Sequence, residues 1–155
     1  MKRSIRVLVS VLIWRKHGLL LLRRRRNFQE IDTGRGLWEL PGGQVNWGEW
    51  PEQAARREIR EETGWRSGKK FRWRNYLVYH LKTPRGQSYR LQLLYNLRLS
   101  NKQLSKVQLS DEHDDFIFIQ TAAELNKLNM LPEVKRYLLV ALTGQVWIKP
   151  ETVTH

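Results

Sequence analysis

The chain of 155 residues contains no cysteine. That excludes disulfides, thiolate nucleophiles and cysteine-ligated zinc, and is compatible with a reducing cytoplasm, the expected compartment. Acidic residues are scarce as well: 15 stand against 28 lysines and arginines, for a formal net charge of +13. No acid precedes Glu30 and none falls between Arg66 and Lys106. The acids gather in one helix and around Asp111 to Asp115, so a local acidic site sits in a basic field, which draws polyanions and holds cations together. No apolar run reaches the roughly 18 residues of a membrane span. Ser4 to Trp14 (SIRVLVSVLIW) is shorter and holds Arg6, and Trp14-Arg15-Lys16 stands where a signal peptide would need small residues, so neither membrane nor export is expected. There is no Walker A loop, no G-x-G-x-x-G after a strand and no G-x-S-x-G. The four histidines, His17, His80, His113 and His155, lack metal-ligand spacing, which disfavours serine and zinc hydrolysis. With no repeat, linker or low-complexity stretch, residues 1–155 are expected to form one domain, large enough to bury about two-thirds of its unfolded surface.

What is present is concentrated from Leu40 to Trp65 (LPGGQVNWGEWPEQAARREIREETGW). Pro51 suits a first helical residue and Gly64 a terminator, predicting a helix from Pro51 to Thr63. At roughly 100° per residue from Ala55, Glu58 falls at about 300°, Glu61 at about 240° and Glu62 at about 340°, while Arg56, Arg57 and Arg60 are expected on the opposite side. The helix face that carries Ala54, Ala55 and Ile59 toward a core thus also carries three carboxylates. Like charges so placed cost a helix roughly 0.2–0.5 kcal/mol per pair, and more when partly buried, unless a cation sits among them. Hard oxygen donors suit Mg²⁺, with Mn²⁺ as a substitute. The bland alternative is a solvated acidic face with Arg57 paired to Glu61 at i,i+4.

The flanks decide between them. Gly43, Glu49, Arg57, Glu58, Ile59, Glu61, Glu62, Gly64 and Trp65 follow the pattern G-x5-E-x7-R-E-U-x-E-E-x-G-U, with U a bulky apolar residue. This resembles the signature of the Nudix hydrolase family, with Trp65 where an aliphatic residue is usual. The resemblance implies an α/β chain with the Nudix fold, an α/β/α sandwich around a mixed central β-sheet. It implies that Glu58, Glu61 and Glu62 bind metal, joined by a backbone carbonyl of Gly42 or Gly43. It implies that Arg57 and Glu49 hold the loop on the helix and orient Glu58, with Gly64 a structural member of the motif. The general base has two candidates, Glu58 and a late carboxylate for which Glu112 is chosen ahead of Asp111, Asp114 and Asp115. The implied reaction is Mg²⁺-dependent hydrolysis of a diphosphate linkage in a nucleoside diphosphate derivative. Nucleoside triphosphates, oxidised ones included, are the leading substrates, since the chain is near the family's minimal size. Dinucleoside polyphosphates or the 5′ end of RNA are the alternative, suited to the basic strands. A noncatalytic RNA-binding module is the rival from another class, and the intact carboxylate set argues against it.

Outside this unit, Ser4 to Trp14 is expected as a central strand and His17-Gly18 as a turn. Leu19 to Leu22 follows as a strand ending in Arg23 to Arg26, where Arg23 and Arg25 are the candidates for phosphate contact and Gly42 for a further substrate contact. Phe28 to Gly36 reads as a loop and Leu37 to Leu40 as a short strand. Phe71 to Leu81 and Tyr89 to Leu99 form a hairpin about Thr83 to Gly86, with aromatic residues and arginines interleaved. An acidic loop precedes a buried strand ending at Ile119, and His113 in that loop reads as incidental. Thr121 caps a helix from Ala122 to Leu128 with Glu124 at N3, Glu133 to Leu142 forms a last helix, and Glu151 to His155 is expected to fray.

Overall fold

The β-branched run at the N-terminus becomes the axis of the sheet because its alternation feeds two cores at once. The computed structural model describes residues 2–16, 18–28, 34–66, 68–83 and 86–144. His17, residues 29–33, Pro84, Arg85 and the tail 145–155 lie outside them, so the expected turns there and the fraying of Glu151 to His155 are not addressed. In β1 (Lys2–Arg15), Val9, Val11 and Ile13 enter one core cluster while Leu12 enters the other. Side chains two apart share a face, so one strand serves both layers.

β2 (Gly18–Arg24), β3 (Trp38–Glu39), β4 (Gly42–Gln44), β5 (Arg72–Thr83), β6 (Gly86–Arg98) and β7 (His113–Ile119) complete a seven-stranded sheet of order β3-β2-β1-β6-β5, with β4 on β1 and β7 on β2. β1 and β6 run parallel from Lys2↔Gly86 to Trp14↔Arg98, and the other pairings are antiparallel, so the sheet is mixed as expected. β1 and β2 stay in register only at Trp14↔Leu19 and Arg15↔Gly18. Beyond that β4 stands beside β1, pairing Leu8–Ser10 with Gly42–Gln44, and delivers the diglycine to the middle of the sheet.

Helix α1 (Pro51–Thr63) matches its expected bounds. The Gln53 side chain accepts the Trp50 N–H at 2.8 Å, Pro51 opens the first turn, and Gly64 at φ 75° closes the helix in a left-handed conformation that residues with a Cβ rarely adopt. Ala54, Ala55 and Ile59 bury α1 against Val9, Val11, Ile13, Leu20 and Leu22. On the opposite face α3 (Ala122–Asn126) and α4 (Pro132–Thr143) cover Leu12, Leu19, Leu21, Leu77 and Leu94 through Leu125, Val134, Tyr137 and Leu138. Helices on both faces make the α/β/α sandwich. Thr121 and Glu124 form the expected capping box, Glu124 N–H donating to Thr121 Oγ1 at 3.2 Å and Thr121 N–H to Glu124 Oε2 at 3.1 Å.

Two local expectations need correction, and one element is an addition. A one-turn helix, α2 (Asn101–Leu104), follows β6, capped by Ser100 and Gln103. β7 begins at His113, so Asp114 and Asp115 lie in the strand rather than in a loop before it, because their partner Arg23 stands opposite on β2. Arg57 is not on the far side of α1 from the acids. At about 200° on the same wheel it neighbours Glu61 at about 240°, and its long side chain turns back among them.

Candidate active site

The site is built where the diglycine of β4 meets the second half of α1. Gly42 N–H donates to Glu62 Oε2 at 2.8 Å, tying strand to helix. A Cβ on Gly43 would overlap the Glu58 carboxylate, so the second glycine leaves the space that this acid occupies. Arg57 fastens the loop between them. Its Nε and Nη2 donate to Glu49 Oε1 and Oε2, both at 2.9 Å; Nη2 also reaches the Gln44 carbonyl at 2.9 Å, and Nη1 reaches Glu58 Oε1 at 2.6 Å. Glu49 in turn accepts the Asn46 N–H at 3.0 Å. The i,i+4 contact Arg57 to Glu61 is present too, at 3.3 Å, and is the weakest of the set.

The carboxylates are not equivalent. Glu62 is 4% exposed, and burial pushes its carboxyl well above the ordinary range, reinforced by the charges of Glu39 and Glu58. Glu58 is raised first by burial, against which Arg57 acts. Arg57 holds Glu49 low. Glu61 is half exposed. Glu112 lines the same cavity, and its negative charge adds a small upward push to the carboxyls of Glu58 and Glu62. Among the described residues no three acidic or histidine side chains converge at coordination spacing. Glu58 is turned onto Arg57 and Glu62 onto Gly42. The donor set nevertheless fits a hard divalent cation: all-oxygen, mutually repelling, with two carboxyls raised by burial, beside a glycine that leaves room.

A cavity of about 500 Å³ opens from these acids across the sheet. Gly42, Gly43, Glu58, Glu61 and Glu112 line it, and Arg6, Arg24, Arg26 and Arg90 bring positive charge to its wall. Gln92 donates to Ser10 Oγ at 2.7 Å and accepts from Tyr79 Oη at 2.8 Å on the floor. The arginine run is therefore phased differently from expectation. Arg24 and Arg26 line the cavity, whereas Arg23 is held by Asp114 at 2.7 Å and Asp115 at 3.7 Å, and Arg25 lies outside the lining. Residues two apart share a face, so Arg24 and Arg26 fall on one side and Arg23 and Arg25 on the other. Of the hairpin aromatics, Tyr79 reaches the cavity, while Trp73 and Tyr76 are 54% and 56% exposed away from it.

Two residues escaped the sequence reading. Glu39, on the short strand before Pro41-Gly42-Gly43, accepts from Arg24 Nη1 at 2.8 Å and lies 3.0 Å from His113 Nε2. His113 is buried, not an incidental loop residue. The one signal for Glu39 was its place just ahead of the diglycine; for His113 it was adjacency to Glu112.

This sandwich, with an acid-bearing helix set on a diglycine strand, defines a class, and comparison with known proteins says which. The model of the NUDIX domain matches residues 4–142, and the chain belongs to that family. An RNA pyrophosphohydrolase of Bartonella clarridgeiae is 41% identical over 64 residues, 39% of this chain and 36% of that protein's length. The MutT protein of Methanosarcina mazei Go1 superposes with a TM-score of 0.74 at 22% identity, covering 94% of this chain and 97% of that one. A C. elegans Ap4A hydrolase superposes with a TM-score of 0.61 at 22% identity, covering 90% and 98%. At these identities the structural likeness is one of fold.

Proposed function

We propose that the protein is a divalent-metal-dependent pyrophosphohydrolase that cleaves the phosphoric anhydride of a nucleoside diphosphate derivative by attack of water on phosphorus. The observation that carries this reading is the set of Glu58, Glu61 and Glu62 presented by α1 to the diglycine strand, with Glu58 and Glu61 lining a cavity that Arg6, Arg24, Arg26 and Arg90 also line. Glu58, Glu61, Glu62 and a backbone carbonyl at Gly42 or Gly43 would hold Mg²⁺, with Mn²⁺ as substitute. When bound, the ion neutralises charge developing on the phosphates and lowers the pKa of a coordinated water. The chain's own groups do the rest. Arg57 keeps Glu58 aimed across Gly43, the Gly42 N–H keeps Glu62 in place, and Glu58 or Glu112 takes the proton from water. Arg24 and Arg26 meet the phosphates, in place of Arg23 and Arg25.

Nucleoside triphosphates are the first substrate class, because a cavity of about 500 Å³ is of a size for one nucleotide. The 5′ end of RNA is the second reading, favoured by the similarity to an RNA pyrophosphohydrolase. The cytoplasm is the proposed place of action; no helix among the described residues is long and apolar enough to cross a membrane. The test is release of phosphate or pyrophosphate with Mg²⁺ from nucleoside triphosphates, dinucleoside polyphosphates, nucleotide sugars and triphosphorylated RNA, with Glu62→Gln as the blank. Turnover of triphosphates well above the blank is expected. Binding of RNA with no turnover of any class would leave a noncatalytic RNA-binding module instead.

A further inference from the structure

His113 opens β7 with its ring fully buried. Its Nε2 lies 3.0 Å from Glu39 Oε1 and 3.9 Å from Glu62 Oε1, while its Nδ1 is buried without a hydrogen-bond partner among the described residues. A proton on Nδ1 would be an orphaned donor in the interior, so the ring proton belongs on Nε2, where Glu39 Oε1 can accept it. Glu39 Oε1 is held from the other side by Arg24. Glu62 thus accepts a backbone N–H at Oε2, while its Oε1 lies 3.9 Å from the imidazole nitrogen, beyond a direct hydrogen bond, beside the Glu39–His113 pair. An N–H donor set between the partly exposed Glu39 and the buried Glu62 eases the repulsion of the two carboxylates. The same burial pins the neighbouring Glu112 at the rim, where its carbonyl accepts the Arg25 N–H at 2.8 Å.

We propose that His113, seated against Glu39, is a positioning residue that orients Glu62 for the metal from behind. The inference rests on the metal-binding reading of Glu62 given above. Partners of this kind typically change metal affinity or activity 10–100-fold when lost.

The test is Mn²⁺ binding to the intact protein without substrate, followed by electron paramagnetic resonance of the free ion, for wild type, His113→Leu, His113→Gln and Glu62→Gln. His113→Leu is expected to weaken Mn²⁺ binding about 10–100-fold. His113→Gln, which keeps an N–H donor, is expected to recover most of that loss. Unchanged affinity in His113→Leu, or equal loss in both variants, would overturn the proposal. If Glu62→Gln binds Mn²⁺ like wild type, the metal reading falls with it; if Glu62→Gln is weak and His113→Leu is not, only the positioning role falls. Wild-type protein provides a second measurement independent of variant folding. Proton–nitrogen correlation spectra should show the His113 proton on Nε2, with a signal that moves as Mg²⁺ is added. A proton on Nδ1, or a signal indifferent to Mg²⁺, would overturn it as well.

Discussion

Replacing Arg57 by lysine keeps the charge and removes the fork, which isolates what geometry contributes. The guanidinium makes two parallel bonds to Glu49 at 2.9 Å, one to the Gln44 carbonyl at 2.9 Å, and one to Glu58 at 2.6 Å. An ammonium on a straight stem can serve one or two of these partners, so two or three bonds are lost. Charge-assisted bonds contribute roughly 1.5–3 kcal/mol each in protected settings. The side chains of Arg57, Glu49 and Glu58 retain 21%, 16% and 13% exposure, so about 1 kcal/mol per bond is the fitting figure. The expected loss is about 2–3 kcal/mol, and in a domain of this size 1 kcal/mol moves Tm by about 2–4 °C. Thermal unfolding followed by circular dichroism should therefore show Arg57→Lys melting roughly 5–10 °C below wild type. Turnover should fall about 10-fold or more, since Glu58 loses the group that aims it. A Tm within about 2 °C of wild type together with full turnover would refute the claim that this fork fixes the loop on the helix.

Two further predictions separate space from charge. Gly43 has an ordinary negative-φ backbone, so Gly43→Ala is tolerated by the chain, yet the new methyl overlaps the Glu58 carboxylate. Turnover should drop about 100-fold or more with Tm little changed, and an active variant would show that Glu58 need not lie against the diglycine. The second concerns pH. The Glu62 carboxyl is raised by burial and by Glu39, Glu58 and Glu112, so its folded pKa exceeds its unfolded one. Its contribution to stability is complete below the ordinary carboxylate range and is lost as pH rises through the folded value. In EDTA, Tm should therefore decline as pH rises above about 5, and the decline should be smaller in Glu62→Gln. Glu49, held low by Arg57, works in the opposite sense, its contribution being lost on acidification. Equal slopes above pH 5 in wild type and Glu62→Gln would remove Glu62 as the source.

What was legible in the chain follows the range of the interactions concerned. Pro51, Gln53 and Gly64 act within a turn of the residues they cap, so the bounds of α1 could be read directly, and with them the set Glu58, Glu61 and Glu62. The arginine run was not legible in this way. Alternation along the run separates Arg23 and Arg25 from Arg24 and Arg26, but which pair faces the cavity depends on what the neighbouring strands place beside them, not on the run itself. Asp114 and Asp115 then claim Arg23, while Glu39, the cavity and Phe28 claim Arg24. The Glu39–His113 contact joins residues 74 apart in sequence, and neither carries a local signal of the other. Both come to Glu62 because β3 and β7 each pair with β2, β3 at Leu22 and Arg23 and β7 from Leu19 to Arg24. Local chemistry therefore wrote the acids proposed to hold the metal into one short segment. The groups that support those acids from behind are assembled by the sheet, and only strand pairing shows which of them arrive.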